Sequence, residues 1–251
     1  MGPGAARVRR VSVRSAVLQA SAASVGIGRR AVMHPAVLFA VGNTCLALTQ
    51  AEALGIGLNV ALVTAMIAAR CWELRRARPL GIPFALLAAV NVATAISVEV
   101  NLAARSASGE VSAGLSADVI AAHVSAFAFV SWAAGHLMAH RQEVHRGSAR
   151  RVNESPQVYY GTGDLAAVCA SGAVNPFSTP FVVIGLARSL TRGHSGGRAR
   201  GHAAAFLHRE VTAARLYGAG FTVGALTSSS VPGFAAAQVC WALAYFLFPR
   251  D

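Results

Sequence analysis

The sequence predicts an all-α, polytopic integral membrane protein with five to six membrane segments. Hydrophobic residues make up 55% of the 251 residues and charged residues only 13%, which is about half the charged fraction of a soluble domain. The apolar residues fall in blocks of the ~20-residue length that a helix needs to cross a bilayer. Helix is the expected conformation, because free strands cannot satisfy their backbone groups in hydrocarbon.

The first segment, residues 1–33, is basic and is expected to lie outside the membrane core. It carries six arginines and no acidic residue. One interpretation is a basic tail that contacts anionic lipid. The other is a transit peptide, because such peptides are rich in Arg and Ser and poor in acids. The corresponding locations are a bacterial inner membrane and an organellar inner membrane.

Residues 35–140 contain four apolar blocks, which predict two transmembrane helical hairpins, and a basic cytoplasmic loop follows at 141–163. With the N-terminus inside, fourteen arginines up to residue 162 lie on the inner side. Arg105 alone lies on the outer side. Cytoplasmic loops carry such an excess of arginine, so the charge distribution predicts this orientation.

The fifth block, 164–187, conflicts with the same charge rule. A single crossing would place the Arg-rich loop 188–216 outside. The segment is therefore predicted to be broken or re-entrant at Asn175-Pro176, an arrangement tolerated where protein covers the backbone. The alternative is that the block crosses and the basic loop is exported. Within the loop, residues 203–216 could form an interfacial amphipathic helix.

The sixth block, 217–248, is predicted to be a kinked C-terminal transmembrane segment, because a triple serine and Pro232 interrupt it. The alternate blocks share an Ala-Val-Asn pattern, with or without an intervening glycine, around Asn43, Asn91 and Asn175. Each even block carries one tryptophan. These features suggest hairpin repeats, which in transporters often flank the substrate site.

Four polar residues at membrane depth are candidate substrate-binding residues: Asn43, Asn91, Glu99 and Asn175. Polar side chains are costly in the membrane and are functional candidates by default. The alternatives are interhelical hydrogen bonding by the asparagines and a solvated helix-end acid at Glu99. No catalytic residue, metal ligand or cofactor is predicted. The chain has no lysine, which excludes Schiff-base chemistry and a Walker A loop.

Two short motifs resemble known membrane families. Ala170–Val174 is similar to the GASGA core of rhomboid proteases, and His136–His140 resembles their HLxxN element, with His140 in place of the Asn. The resemblance implies Ser171 as nucleophile and His136 as oxyanion donor. The later histidines, however, fall in the basic loop. Residues 171–176 also resemble the SGxxxNP half-helix of aquaporins, which implies a re-entrant turn.

The leading functional expectation is a transporter or channel for a small solute or ion, with polar residues of broken helices lining the path. The alternatives are a non-catalytic subunit or assembly factor of a larger membrane complex, and an intramembrane hydrolase. The expected partners are the lipid bilayer, a small solute or ion, and other membrane proteins or a second copy of the chain. Nucleic acid is not indicated, because the arginines border the membrane segments.

Overall fold

The computed structural model describes residues 13–50, 53–111, 114, 116–145, 152–172, 175–191, 212–227 and 231–248. Within these residues every regular element is helical, which confirms the all-α class. The helices are α1 (Val13–Val32), α2 (Pro35–Gln50), α3 (Ala53–Arg75), α4 (Ile82–Ala107), α5 (Ala117–His145), α6 (Pro156–Ser171), α7 (Thr179–Thr191), α8 (Ala213–Thr227) and α9 (Pro232–Leu247), with a 3-10 turn at Val152–Glu154.

Three of the described helices, α3, α4 and α5, are long and apolar enough to cross a membrane. A fourth span results if Ser21–Val32 and Pro35–Thr49, which meet at 63°, are counted together. The apolar side chains of α3 are largely uncovered, with Leu54 and Leu58 both exposed. These features are compatible with a multi-pass membrane protein, because outward-facing apolar helices need lipid or protein around them.

Helices α2 to α9 form a closed ring. Each helix packs against the next along the chain, and α9 returns to pack against α2. Helix α1 lies outside this ring, mainly against α3. Across the middle of the ring, Phe39 of α2 and Tyr160 of α6 bring their ring centroids to 5.6 Å. The core is therefore built from helices that are far apart in the sequence.

Two helix pairs within the ring, α9–α2 and α5–α6, make the same contacts. Both α2 and α6 begin at a proline, and both carry a glycine seven residues later, Gly42 and Gly163. A Cβ at Gly42 would meet the Trp241 indole and the Ala237 carbonyl, and a Cβ at Gly163 would meet the Trp132 indole and the Ala128 carbonyl. In each pair the carbonyl belongs to the residue one turn before the tryptophan.

The correspondence extends along both pairs. Phe39, three residues before Gly42, packs edge-on against Tyr245 at 5.0 Å. Tyr160, three residues before Gly163, packs edge-on against His136 at 5.1 Å. The match also holds for a further contact. If α2 is matched with α6 and α4 with α8, the contact between α2 and α4 has its counterpart in the contact between α6 and α8. The ring thus consists of a continuous unit, α4 to α7, and a split unit formed by α8, α9, α2 and α3.

This relation differs from the hairpin repeats expected from the asparagine spacing. The position after Gly42 is Asn43, and the position after Gly163 is Asp164. By its place in the matched contacts, Asn43 corresponds to Asp164 and not to Asn91 or Asn175. The physical reason is that close helix approach is set by Gly–Trp packing, whereas the Ala-Val-Asn pattern only reflects a common composition.

The fifth block folds as a hairpin. Helix α6 ends at Gly172, which adopts a left-handed φ of 62°. Helix α7 then runs back along it, so that Leu186 lies beside Gly161. The sixth block reverses in the same way instead of continuing through a kink, because Gly218 of α8 faces Phe246 of α9 and Gly224 faces Gln238. Residues 228–230, the triple serine, and most of the predicted interfacial helix at 203–216 lie outside the described residues.

These reversals place the C-terminus of α7 and the N-terminus of α8 at the same end of the ring as the N-terminus of α6. Within the described residues and leaving out α1's first turn, one end carries nine arginines and three glutamates, and the other carries Arg105 with Glu99, Glu110 and Asp118. The nine arginines are Arg29, Arg30, Arg70, Arg75, Arg76, Arg78, Arg141, Arg188 and Arg215, and the three glutamates are Glu73, Glu143 and Glu154. We call these the Arg-rich end and the acidic end. Helices α6 and α7 run in opposite directions, so the fifth block starts and finishes near the Arg-rich end.

Candidate functional site

A buried carboxylate, that of Asp164, lies halfway along α6. Its residue is only 7% exposed. The Trp132 indole N–H donates to Oδ1 at 2.9 Å, and the Tyr245 hydroxyl donates to Oδ2 at 3.0 Å. Asp164 is eight residues from Pro156, which is about 12 Å along the helix axis. Asp164 therefore lies near the middle of α6.

Glycines on α6 create the room for these aromatic partners. Gly163 lets the Trp132 indole lie directly on the α6 backbone, beside the Asp164 side chain. Two residues earlier, Gly161 accommodates the hydroxyl end of Tyr217, whose ring also covers Gly185 of α7. Small residues permit such close approach in membrane helices. The sequence Gly-Thr-Gly-Asp therefore places a carboxylate among aromatic rings.

Further aromatic residues surround this carboxylate. The Tyr160 hydroxyl and His136 Nδ1 share a 2.9 Å hydrogen bond, and the Tyr217 hydroxyl donates to the Gln157 carbonyl at 2.9 Å. Tyr217 and Tyr245 pack edge-on at 5.3 Å. Each of these buried polar groups has a partner, as expected for an interior with few polar atoms.

Asp164 lies where the two units of the ring meet. Trp132 and Asp164 belong to the continuous unit, whereas Tyr245 belongs to the split unit. Around them, two rings from each unit form what we call the aromatic seam: Phe39 and Tyr245 from the split unit, and His136 and Tyr160 from the continuous unit. Tyr160 and Tyr245 face each other across it at 5.9 Å. The Asp164–Tyr245 hydrogen bond therefore joins the two units.

The electrostatic surroundings of Asp164 differ from those of the carboxylates at the Arg-rich end. Both hydrogen-bond donors of Asp164 are neutral. At the Arg-rich end, Arg70 Nη1 contacts Glu73 at 2.6 Å and Glu143 at 2.5 Å, and His34 lies 3.3 Å from Glu143. Glu73 also accepts the Ile82 backbone N–H at 2.8 Å. That cluster fastens α2, α3, α5 and the start of α4 together, whereas Asp164 has no such cationic contact within the described residues.

The structure separates the predicted binding residues. Asn43 is half-buried on α2, next to Gly42. Asn91 is buried on α4, and its side chain donates to the Leu87 carbonyl of its own helix at 2.9 Å. None of the hydrogen bonds within the described residues joins any two of Asn43, Asn91, Glu99 and Asn175.

Glu99 and Asn175 lie towards the acidic end of the ring. Glu99 of α4 is partly exposed and pairs with His123 of α5 at 2.9 Å. Asn175 caps α7, because its Oδ1 accepts the backbone N–H groups of Phe177 and Ser178. Its amide also donates to Thr227 at 2.8 Å. These bonds fix the turn between α6 and α7 to the end of α8.

The residues implied by the rhomboid resemblance do not come together. Ser171 lies at the end of α6 and donates to the Val168 carbonyl at 3.1 Å. His136 of α5 is buried against Tyr160. Tyr160 lies eleven residues before Ser171 on α6. That separation is roughly 16 Å along the axis. Because a nucleophile and its oxyanion donor must both lie within about 3 Å of the reacting atom, this arrangement lacks the geometry of that active site.

Asp164 escapes prediction from hydropathy because it appears as the border of the fifth block. The signal that reveals its depth is Ser155-Pro156, since proline is favoured at the first position of a helix. A helix that begins at Pro156 carries Asp164 to its middle. Comparison of the chain with protein-family models, curated proteins and solved structures finds no match.

Proposed function

We propose that the protein is an integral membrane transporter or channel for a small solute or ion, in which Asp164 is the intramembrane carboxylate. The observation that carries this proposal is the burial of Asp164 halfway along α6, between neutral donors. An ionisable side chain inside a membrane bundle is expensive. It is retained where a substrate, an ion or a proton interacts with it.

The two-unit ring supports a transporter in particular. Transporters commonly place their substrate site between structural repeats, on interrupted helices. Here the continuous and split units meet at the aromatic seam, and the Asp164–Tyr245 bond crosses it. We infer that α6 to α9 also lie in the membrane as two hairpins and that the Arg-rich end faces the cytoplasm or its organellar equivalent.

Reconstitution in liposomes tests the proposal. The purified protein is placed in vesicles that contain a pH-sensitive dye, and proton entry is followed under an imposed potassium diffusion potential, in the presence and in the absence of sodium. We expect flux above that of empty vesicles. Asp164→Asn, which keeps the size of the side chain, should lower the flux at least tenfold.

Glu110→Gln is the matched control, because Glu110 is an exposed carboxylate that pairs with Arg105 at 3.7 Å on the surface of the acidic end. It should leave the flux unchanged. Wild-type flux in the Asp164→Asn protein would contradict the proposed role of Asp164. An absence of flux together with a second polypeptide that co-purifies in fixed stoichiometry would instead favour the alternative, a non-catalytic subunit of a membrane complex.

A further inference from the structure

We propose that the substrate is a small organic cation, an ammonium group with an apolar substituent, which binds Asp164 among the rings at the meeting point of the two units. This inference rests on the proposed transport function and names its substrate class. Three independent features of the described residues support it: the neutral partners of the carboxylate, the aromatic rings beside it, and the distribution of charge between the two ends of the ring.

The carboxylate selects the sign of the ligand. Asp164 receives hydrogen bonds from Trp132 and Tyr245 but no ion pair within the described residues. A buried carboxylate without a counter-charge is unfavourable, so a positive ligand satisfies what the protein leaves unsatisfied. An anion would meet repulsion at the same position.

The aromatic rings select the chemical class. Trp132 and Tyr245 contact Asp164 directly, Tyr160 lies one turn away on α6, and Tyr217 packs on Tyr245 at 5.3 Å. The faces of Trp and Tyr attract organic cations, most strongly when water is excluded. A metal ion prefers several oxygen ligands, whereas an ammonium with an apolar substituent uses both the carboxylate and the rings.

The hydrogen bonds indicate how the ligand reaches the site. In the closed ring both oxygens of Asp164 are occupied, so binding requires the two units to move apart at the aromatic seam. Separation removes the Tyr245 hydroxyl from Oδ2, and an ammonium N–H can donate to that oxygen in its place. The carboxylate then keeps two donors in both conformations, which avoids the cost of an unsatisfied buried acceptor.

The charge of the two ends favours entry of a cation from one side. Glu99 and Asp118 lie at the acidic end of the ring, where Glu110 is paired with Arg105 and adds no net charge, whereas arginines outnumber glutamates at the opposite end. Charge of one sign at an entrance raises the local concentration of ligands of the opposite sign. A cation is therefore attracted to the acidic end and repelled at the Arg-rich end.

Equilibrium dialysis of the purified full chain in detergent tests the proposal, with radiolabelled benzylammonium as the probe and benzyl alcohol as its neutral counterpart. We expect saturable binding of one benzylammonium per chain and no saturable binding of benzyl alcohol. Asp164→Asn should weaken benzylammonium binding at least tenfold, whereas Glu110→Gln should bind as the wild type does.

Tyr245→Phe provides a second readout that a purely structural role would not produce. The variant keeps the ring but removes the hydroxyl that competes for Oδ2, so it should bind benzylammonium more tightly, by about fivefold for the loss of one hydrogen bond. Equal or weaker binding by this folded variant would overturn the proposed exchange of donors.

The outcomes separate this inference from the proposed function. Equal binding of benzyl alcohol, or no binding of benzylammonium alongside Asp164-dependent proton flux in liposomes, would overturn the organic-cation class and leave a proton transporter. The absence of both binding and flux would overturn the inference and the proposed function together.

Discussion

The α5–α6 and α9–α2 pairs share a backbone arrangement and differ in what their side chains do with it. In both, a tryptophan lies on a glycine and an aromatic residue one turn earlier packs edge-on against the partner helix. In α5–α6 the tryptophan binds the carboxylate of Asp164 at 2.9 Å. In α9–α2 it reaches only the Phe39 carbonyl at 3.4 Å.

This difference shows how one packing motif serves two purposes. Where Asn43 follows the glycine, the pair holds the ring together through apolar contacts. Where Asp164 follows it, the same contacts hold a buried carboxylate between two neutral donors. Tyr160 and His136 add a polar pair in the second case, whereas Phe39 takes the place of Tyr160 in the first. The polarity of each pair thus depends on the side chains placed on a shared backbone arrangement.

The direction of α7 gives the largest expected effect, because labelling from one side or the other shows whether α7 runs antiparallel to α6. In a chain whose four native cysteines are replaced by serine, Thr191→Cys should react with an impermeant maleimide from the same side as His145→Cys. Phe177→Cys should react from the opposite side, together with Ser108→Cys. The measurement is labelling of sealed oriented vesicles before and after permeabilisation.

A single crossing by the fifth block would give the reverse result for Thr191→Cys. Labelling of that residue from the side of the acidic end would contradict the arrangement of α4 to α7 as one unit in which α7 runs back along α6. The reference residues His145 and Ser108 both flank α4 and α5, whose antiparallel arrangement is independently fixed by the Glu99–His123 and Gly81–His140 contacts.

Asp164 follows Gly163 and Asn43 follows Gly42. Removal of these two polar side chains should lower the free energy of unfolding by unequal amounts. Asp164→Ala leaves the Trp132 and Tyr245 donors buried without their acceptor, which we expect to lower the free energy of unfolding by about 3 kcal/mol. Asn43→Ala should lower it by about 0.6 kcal/mol, the average for a hydrogen-bonding side chain between membrane helices. Reversible unfolding in mixed detergent micelles measures both, and equal losses would contradict the assigned difference.

Filling each glycine with a methyl group should destabilise the two helix pairs unequally. Gly163→Ala places a methyl group 2.5 Å from the Trp132 ring, and Gly42→Ala places one against the Trp241 ring. Overpacking costs about 1–3 kcal/mol. We expect Gly163→Ala near the upper value, because Asp164 fixes its indole, and Gly42→Ala near the lower value, because Trp241 has a longer hydrogen bond and can shift.

The thermal midpoints of the two alanine variants in the same detergent provide the measurement. Gly57→Ala is the control, since a Cβ there meets no atom within 4 Å. A larger loss at Gly42 than at Gly163 would show that Asp164 does not restrain Trp132.

Making the two pairs alike should have a smaller effect than filling Gly163. Tyr160→Phe gives α6 the ring that α2 has in Phe39 and removes the hydrogen bond to His136. We expect a loss of about 1 kcal/mol in the free energy of unfolding. Tyr159→Phe, which removes an exposed bond to the Asn153 carbonyl, should have no measurable effect in the same assay. Equal effects of the two variants would rule out a distinct contribution from the buried pair.

The sequence predicts the helical class and the membrane-like character of the chain because both depend on local composition. Apolar blocks of bilayer length and arginines at their borders report on single segments. The closure of the ring depends on contacts such as Trp241 with Phe39, which are 202 residues apart. Nothing in the local pattern around Phe39 indicates its partner, so this part of the fold is out of reach of such patterns.

The candidate site, too, can be predicted from the sequence only where it depends on local pattern. Asn175 is found at the helix break where the prolines predict one, but its side chain caps α7 and binds Thr227. Asp164 is missed because the tyrosines and glycines before it dilute the hydropathy of a real helix. A helix start at Pro156 could have been recognised from Ser155-Pro156. The aromatic partners from α9 could not, since their approach depends on tertiary packing.

The split unit has a consequence for biosynthesis. Helices α2 and α3 leave the ribosome early, yet the face of α2 that carries Phe39 and Gly42 is completed only by α9, near the other end of the chain. Until α9 is made, that face must lie against lipid or an insertion factor. The loss of α9 would therefore leave the earliest helix of the ring, and not only the latest, without its partner, and such a shortened product should be recognised by quality-control proteases.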